Sequence, residues 1–396
     1  MRELGIIEDG AVLIEDGVIV AVGTSAEVVA QADQSAERID ARGQVVLPGF
    51  VDAHTHPVFA GTRVQEYELR AMGLTYQEIA ARGGGIRSTM EMTRAASEDE
   101  LLSRARRYAR WFIEHGTTTI EAKSGYGLSL ESEIKLLRVM AALNREGPLE
   151  IVPTLLAAHI VPPEFQHQRE AYLSMISDEL LPLVAQEKLA EYHDVFCETG
   201  AFSVDETRAL MLRARELGLK LRLHANQFSD TGAAALAAEL NMSTCDHLEH
   251  VDQSAIAALQ RAGVIAVLLP GAVWHLGSQH YPPARAMIDA GLAVVLATDF
   301  NPGSSPTPNM QMILSLACTQ MGMTPAEALT ATTLNAAYSL NRGDRIGSIE
   351  IGKQADLVIF DCADYREIPY FYGRNHVNRV IKRGCVVFTK SCVSLN

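Results

Sequence analysis

The chain has 396 residues, a formal net charge of −14 and 48% hydrophobic residues. This length accommodates one barrel of roughly 250 residues with a smaller accessory unit, and the acidic balance argues against nucleic acid or anionic membranes as partners. No apolar run reaches the ~18 residues that cross a bilayer, and the first residues lack the basic and apolar segments of an export signal. We therefore expect a cytoplasmic protein.

The chain opens with a predicted β-hairpin, in which strands at 11–14 and 18–22 flank a turn at 15–17. From residue 48 to 345, short apolar runs then alternate with longer stretches of helical periodicity. Eight such β/α units predict a closed (β/α)8 TIM-type barrel rather than an open sheet. The candidate strands are 48–56, 117–124, 150–159, 191–198, 219–226, 243–250, 264–271 and 293–300.

The chain after the eighth candidate strand contains a helix start, at which Thr324 caps, Pro325 takes the first helical position and Glu327 completes a capping box. Beyond it, 355–360 and 378–382 have the composition of strands. Neither end of the chain carries enough apolar surface to fold alone. We therefore predict that residues 1–47 and 346–396 form one composite β-sandwich domain beside a barrel at 48–345.

Six cysteines are spread along the chain without a Cys-x-x-Cys pair or the spacing of a zinc finger. We interpret them as small buried thiols in a reducing compartment. They are Cys197, Cys245, Cys318, Cys362, Cys385 and Cys392.

The sharpest local signal is the first barrel strand, which ends in His54-Thr55-His56 and is stopped by Pro57. Side chains two apart on a strand share a face, so both imidazoles are predicted to point into the barrel at its carboxyl-terminal mouth, where barrel enzymes hold their chemistry. Two unrelated histidines at a strand end are the alternative interpretation.

Two further strand ends carry metal-binding residue types, since the fifth candidate strand ends in His224 and the eighth in Asp299. Three imidazoles and one carboxylate suit a divalent cation such as zinc, iron or manganese. We predict one metal ion held by His54, His56, His224 and Asp299. Two-metal barrels need a bridging lysine on the fourth strand, and here that strand ends Val195-Phe196-Cys197-Glu198, so a mononuclear site is favoured.

A metal so bound lowers the pKa of a coordinated water, and Asp299 is placed to accept the proton of that water. The sixth strand supplies two more histidines, His247 and His250, which must face opposite ways on a regular strand. The one that faces inward is predicted to hydrogen-bond the attacking water or the developing oxyanion. The pattern alone does not choose between them.

With these residues established, almost the whole chain resembles the imidazolonepropionase family of metal-dependent amidohydrolases. The Lys-Ser-Gly-Tyr-Gly-Leu segment at 123–128 and the Asp-Phe-Asn-Pro-Gly-Ser segment at 299–304 are the most specific matches, and 47–56, 196–200 and 268–271 also match. The resemblance implies hydrolysis of the ring carbon–nitrogen bond of 4-imidazolone-5-propanoate to N-formimidoyl-L-glutamate, a step of histidine degradation.

The resemblance also implies roles for single residues. It assigns His54, His56, His224 and Asp299 to the metal and His247, rather than His250, to the inward position. It adds His159 as a residue that contacts the substrate ring or carbonyl, and Arg63 and Tyr126 as ligands of the substrate carboxylate. A binding loop beyond the metal-binding aspartate is implied at Asn301, Gly303 and Ser304; an ordinary turn is the alternative there.

The chain departs from the family pattern in two ways. Gln227 stands three residues after His224, where deaminases of the superfamily and some imidazolonepropionases have a glutamate that shuttles protons. An amide cannot carry a proton at neutral pH, so we expect proton transfer through Asp299 with help from His247 while Gln227 orients the ring. The resemblance also implies one more strand ahead of the first hairpin than this chain shows.

Other functions compete with this one. A deaminase or cyclic-amide hydrolase of the same superfamily, acting on another heterocycle, is the nearest, and Gln227 argues against a deaminase. A metal-free barrel that serves as a binding protein is an alternative of another class, but such a relic would have lost some of the four ligands. A small-molecule substrate and a homodimer are the expected partners.

Overall fold

The structure is a computed structural model that describes residues 1–74, 78–79 and 82–391. The chain begins with the antiparallel hairpin of β1 (Gly10–Glu15) and β2 (Val18–Thr24), followed by the short helix α1 (Ser25–Val29) and strand β3 (Val45–Pro48). These elements precede the barrel.

Eight parallel strands form the barrel, in the same order along the chain and around the sheet. They are β4 (Phe50–Thr55), β5 (Thr117–Lys123), β6 (Glu150–Ala158), β7 (Tyr192–Cys197), β8 (Lys220–Ala225), β9 (Thr244–His247), β10 (Ile265–Leu268) and β11 (Val294–Leu296). The predicted barrel is therefore confirmed, with strands that are mostly shorter at their ends than the candidate runs.

Helices cover the outside of the barrel, and three of them begin at the capping boxes Ser97–Glu100, Ser203–Glu206 and Thr324–Glu327. The helices are α2 (Val64–Ala71), α3 (Ile86–Ala95), α4 (Glu98–Glu114), α5 (Leu130–Glu146), α6 (Arg169–Ser174), α7 (Leu181–Glu187), α8 (Val204–Glu216), α9 (Ala233–Glu239), α10 (Gln253–Ala262), α11 (Pro270–His275), α12 (Ala284–Asp289), α13 (Met310–Gln320), α14 (Pro325–Thr332) and α15 (Leu334–Ser339). A 3₁₀ turn (Pro163–Phe165) precedes α6, and a π-helical segment (Met175–Leu180) joins α6 to α7.

The barrel closes between its first and last strands just beyond the end of β11. The amide of Asp299 donates to the carbonyl of His54 at 3.0 Å, and the amide of His56 donates to the carbonyl of Phe300 at 2.8 Å. Thr55 and Phe300 form a parallel bridge there. The closure brings Asp299 to the end of β4, although the two segments lie far apart in sequence.

The two chain ends form one small β-domain, as the fold prediction required. A four-stranded antiparallel sheet has the order β14 (Cys385–Thr389), β13 (Val377–Lys382), β12 (Leu357–Phe360), β3, so that an amino-terminal strand completes a carboxyl-terminal sheet. The helix α16 (Glu367–Tyr370) lies between β12 and β13. Val12 and Ile14 of the hairpin pack on the apolar cluster of Leu357, Ile359 and Ile381.

Some sequence expectations differ from the structure. Pro48 belongs to β3 of the small sheet, because its register pairs it with Leu357 and not with a barrel strand. The capped helix at Thr324 is preceded by α13, an apolar helix whose pattern the sequence analysis did not separate from the loop after β11. The division of the chain at 47/48 and 345/346 remains a prediction.

The cysteines are reduced in the described part of the chain, where Cys197, Cys245 and Cys362 are buried. Cys318 is half-buried and Cys385 is exposed, so the expectation of uniformly buried thiols is wrong at these two positions. Cys392 lies outside the described residues. Among the helices of the described residues, none is long and apolar enough to cross a bilayer.

Candidate metal centre and active site

The histidines of β4 and β8 converge at the mouth of the barrel. His54 and His56 end β4 on one face, with ring centroids 5.3 Å apart, and the ring of His224 lies 4.4 Å from that of His54. All three side chains are almost fully buried. Alternation along each strand brings these imidazoles to one layer at the mouth of the barrel.

Asp299 faces this cluster from the segment after β11, where it adopts a left-handed backbone conformation with a φ of 52°. Its Oδ1 atom lies 3.6 Å from Nε2 of His54 and 3.5 Å from Nε2 of His56. Ser304 Oγ donates to the other carboxylate oxygen at 3.3 Å. The positive φ turns the chain sharply at the end of the strand.

The two atoms at which His54 and Asp299 approach each other, Nε2 and Oδ1, both carry lone pairs. Nδ1 of His54 lies 2.7 Å from Oδ2 of Asp246, so the proton sits on Nδ1 and Nε2 is an acceptor. This Nε2 is buried and has no hydrogen-bond partner among the described residues. Because two acceptors facing each other are repulsive unless a cation lies between them, the donor set fits a divalent metal ion.

The possible ligand atoms form two overlapping groups, within each of which the atoms lie within 4.8 Å of one another. One group is His54, His56 and Asp299, and the other is His54, His224 and His247. The two groups share His54 and together contain the four predicted ligands. His247 is the additional member.

The direction of the pKa shift separates His247 from the other histidines of the site. Burial lowers the pKa of His56 to about 3 and that of His224 to about 4, which leaves neutral imidazoles suited to bind a cation. Burial also lowers the pKa of His247, but the carboxylate of Glu249, 3.4 Å from Nδ1, together with those of Asp299 and Asp246, outweighs burial and the pKa is raised. A protonated imidazole donates hydrogen bonds and does not bind metal.

Backbone geometry at the end of β9 decides between the two histidines of the sixth strand. His247 and Leu248 have φ values of 79° and 67°, which break the alternation of a regular strand. Asp246 and His247 consequently both face the cluster, with the His247 ring 5.3 Å from that of His224. His250 instead stacks on His280 at a centroid distance of 4.3 Å.

A set of buried charged residues beneath the histidines was missed as part of the site. Asp194 accepts from Nδ1 of His224 at 3.0 Å and from its backbone amide at 3.1 Å, as Asp246 accepts from His54. Charged residues at alternating positions inside apolar strands were the available signal. The members of the set are Glu121, Lys123, Asp194, Arg222 and Asp246, all without exposed side-chain surface.

Arg63 lies just before α2 and is buried against the loop at Gly303. Its Nε donates to Oγ1 of Thr89 at 2.8 Å, while Nη2 has no partner among the described residues. A Cβ atom at Gly303 would lie 2.1 Å from Nη1. The guanidinium therefore fills the space that a side chain at 303 would need, and it keeps a buried donor available for an anionic group.

His159 and Tyr126 lie beside the cluster on the side of His56. The ring of His159 stacks on that of His56 with centroids 5.6 Å apart, and the ring of Tyr126 lies 5.6 Å from that of His159. Nδ1 of His159 donates to the carbonyl of Gly125 at 2.9 Å. Burial lowers the pKa of His159 to about 3, so its Nε2 is an acceptor of hydrogen bonds.

Asn301 organises the turn that follows Asp299. Its side-chain oxygen accepts from the amides of Gly303 and Ser304 at 2.8 Å each, and its nitrogen donates to the carbonyl of Asp299 at 2.6 Å. This side chain is engaged within the loop, so it supports the geometry of Asp299 and Gly303.

Gln227 is half-buried in the bend after β8, and no hydrogen bond that the structure describes involves its side chain. The bend itself is held by Glu198, which accepts from the amides of Phe228 and Ser229 at 2.9 and 3.3 Å and also from the hydroxyl of Ser229. Glu198, which follows β7, therefore supports this loop.

Comparison with known families identifies the class to which this fold and site belong. The model of the amidohydrolase family matches residues 45–387, and a model described as an imidazolonepropionase-like composite domain of bacteria matches residues 10–34. The first match spans most of the chain, so the protein is an amidohydrolase, a hydrolase that acts on carbon–nitrogen bonds.

Full-length relatives narrow the class. The imidazolonepropionase of Solibacter usitatus is 57% identical over 99% of this chain and 94% of its own length. That of Geobacillus kaustophilus is 48% identical over 98% of this chain and 92% of its own. The chain belongs to the imidazolonepropionase family, as the resemblance predicted.

Solved structures resemble the fold at low sequence identity. A zinc-bound adenosine deaminase from Xanthomonas campestris has a TM-score of 0.75 at 21% identity and covers 98% of this chain and 90% of its own. A 5-methylcytosine deaminase from Klebsiella pneumoniae has a TM-score of 0.77 at 18% identity, with 97% and 96% covered. These likenesses support the barrel with its accessory sheet.

Proposed function

We propose that the protein hydrolyses the ring carbon–nitrogen bond of 4-imidazolone-5-propanoate to give N-formimidoyl-L-glutamate, in histidine degradation. The names of its full-length relatives support this substrate. The observation that carries the hydrolytic chemistry is the close approach of two acceptor atoms, His54 Nε2 and Asp299 Oδ1, at 3.6 Å. Such a pair suits a cation that activates water.

One divalent metal ion is proposed at His54, His56, His224 and Asp299, and zinc or iron, with manganese as a further possibility, matches three imidazoles and a carboxylate. When bound, the ion supplies a water molecule of lowered pKa and polarises the substrate carbonyl. The chain contributes the ligand geometry, because Asp194 and Asp246 hold the Nδ1 protons of His224 and His54.

The remaining groups divide the work of catalysis and binding. Asp299 accepts a proton from the attacking water and delivers it to the ring nitrogen that leaves. His247, held as a donor by Glu249, stabilises the oxygen that gains negative charge. His159 accepts a hydrogen bond from the ring, and Arg63 and Tyr126 bind the propanoate group. Asn301, Gly303 and Ser304 form the loop that holds this end of the substrate.

Gln227 is assigned to orientation of the ring and not to proton transfer. We expect Gln227→Glu to lower kcat or leave it unchanged, because Asp299 already accepts the proton and a second carboxylate adds only repulsion near it. The profile of kcat against pH should keep its shape. A faster variant with a shifted pH profile would show that proton transfer runs through position 227.

The direct test is to incubate the purified protein with freshly made 4-imidazolone-5-propanoate and to measure formation of N-formimidoyl-L-glutamate, with and without a chelator. We expect product only while metal is bound, with activity restored by zinc or iron. Release of ammonia from another heterocycle would indicate a deaminase. Full activity in protein that contains no transition metal would refute the metal site.

We further propose that the protein is a cytoplasmic homodimer. The exposed aromatic side chains of Trp274, Tyr370 and Tyr372 line one groove, and they are candidates for a surface that a second copy covers. The molar mass in solution tests the dimer.

A further inference from the structure

A buried lysine lies beneath the histidine cluster, and the chemistry described so far does not use it. Nζ of Lys123 donates to Glu121 at 2.8 Å and to Asp194 at 2.7 Å, and it lies 3.7 Å from Asp246. None of these four side chains has exposed surface. Because an ammonium group loses its hydration when it is buried, this position needs specific partners.

The two aspartates that contact Lys123 are the ones that hold the proposed metal ligands. Oδ2 of Asp194 is 2.7 Å from Lys123 and 3.0 Å from Nδ1 of His224. Oδ2 of Asp246 is 2.7 Å from Nδ1 of His54. In each carboxylate, the same oxygen faces both the ammonium group and an imidazole. A substitution at Lys123 that moved either carboxylate would therefore also alter its hydrogen bond to the imidazole.

The second buried cation, Arg222, does not duplicate this arrangement. Its Nη2 donates to the carbonyl of Ala53 at 2.7 Å and lies 3.4 Å from Asp246. Within the described residues, Lys123 is the only lysine or arginine that forms an ion pair with Asp194. Without it, Asp194 and Glu121 would be buried carboxylates that lack their ammonium partner, and an Asp194 side chain that rotated away would no longer accept from His224.

We propose that Lys123 is a positioning residue of the metal centre, which holds Asp194 and Asp246 so that His224 and His54 keep their protons on Nδ1 and present Nε2 to the cation. The proposal rests on the proposed metal site. If the proposal is right, Lys123 increases the affinity of the protein for the metal ion. It does so through Asp194 and Asp246, which contact the ligands His224 and His54 and not the ion itself.

The test is a zinc titration of metal-free protein against a chelator of known affinity. For Lys123→Met, which keeps the length of the side chain and removes its charge, we expect the dissociation constant for zinc to rise roughly 10- to 100-fold. Lys382→Met is the matched control, since Lys382 is also buried and lies 2.7 Å from a carboxylate, that of Asp356 in the small domain. It should lose stability but keep its affinity for zinc.

A second variant serves if Lys123→Met does not fold. Glu121→Gln with Lys123→Met removes one charge of each sign, so the net charge of the buried set is unchanged. Circular dichroism and thermal unfolding verify the fold, and the double variant should still bind zinc weakly. A folded variant of either kind with wild-type affinity would overturn the role of Lys123. Failure of the wild-type protein to bind zinc, iron or manganese would instead overturn the metal site.

Discussion

Single side chains decide how tightly the proposed substrate carboxylate is held. Arg63 keeps its position only because residue 303 has no Cβ, which would lie 2.1 Å from Nη1. We expect Arg63→Ala to raise KM far more than it lowers kcat, because the lost contact is the same in ground state and transition state. Gly303→Ala should raise KM in the same way by displacing the guanidinium. Steady-state kinetics measures both.

Gly147→Ala is a suitable control, since an added Cβ there would have its nearest neighbour at an ordinary 3.5 Å. It should leave both constants unchanged. If Arg63→Ala bound the substrate as well as the wild-type protein, Arg63 would have no place in the binding site.

The pKa of His247 depends on the carboxylates around it, and Glu249 contributes most among them. Glu249 raises the pKa of His247 against the effect of burial, which favours the protonated, donating form of this imidazole. We expect Glu249→Gln to lower kcat about 10- to 100-fold with little change in KM, since a donor to the oxyanion acts mainly in the transition state. The pH at which activity is lost on the alkaline side should also fall. An unchanged pH profile would contradict this role.

At the scale of elements, each barrel strand uses its two faces differently. On β7, Asp194 points to the site while the adjacent His193 is fully buried on the other face, and Leu155 and His193 are paired in the register of β6 and β7. The position of Asp194 in the proposed site and the packing of His193 on the other face of the strand therefore depend on the same strand β7.

His193 makes the stability of the fold dependent on pH. Burial lowers the pKa of His193 from 6.5 to about 4. The unfolded chain takes up this proton below pH 6.5 and the folded chain only near pH 4, so its stability contribution is present above 6.5 and is lost as the pH falls towards 4. The slope is about 1.4 kcal/mol per pH unit at most.

We therefore expect His193→Leu to weaken the acid dependence of the free energy of unfolding, measured with urea across this pH range. His167→Leu, at an exposed position, is the control and should leave the slope as it is. An equal slope in the His193 variant and the wild-type protein would refute the assignment.

At the scale of the whole molecule, ion pairs around Glu150 fasten the small domain to the barrel. Glu150, at the start of β6, accepts from Arg345 and lies 3.5 Å from Lys382 of β13. Lys382 in turn lies 2.7 Å from Asp356. Pairing of β3 with β12 adds a second connection between distant parts of the chain. The carboxyl-terminal strands are thereby held by the ion pairs of Lys382 with Glu150 and Asp356 and by the pairing of β12 with β3.

We expect limited proteolysis to leave residues 357–389 attached under native conditions, because their strands complete a shared core and cannot be removed without exposing it. Mass spectrometry of the digest identifies any fragment. Removal of the tail from a protein that keeps its thermal stability would show that the two chain ends are independent of the barrel.

The sequence by itself determined the eight β/α units, the strands at both ends and the four candidate metal ligands. These features follow local rules: periodicity distinguishes strands from helices, and His54, His224 and Asp299 are recognisable because the carboxyl ends of all barrel strands meet at one mouth. The family motifs then supplied roles for Arg63, Tyr126 and His159; Arg63 and Tyr126 carry no comparable signal in their own surroundings, whereas His159 ends the third candidate strand.

Only the tertiary structure decided which groups act on one another. The inward orientation of His247 depends on positive φ angles at the end of β9, where strand alternation no longer holds. The contacts of Lys123 with Asp194, of Asp246 with His54 and of Gly303 with Arg63 join segments far apart in the chain. These contacts form when the barrel closes. The local pattern of residues along one strand does not specify which distant side chains lie opposite it inside the barrel.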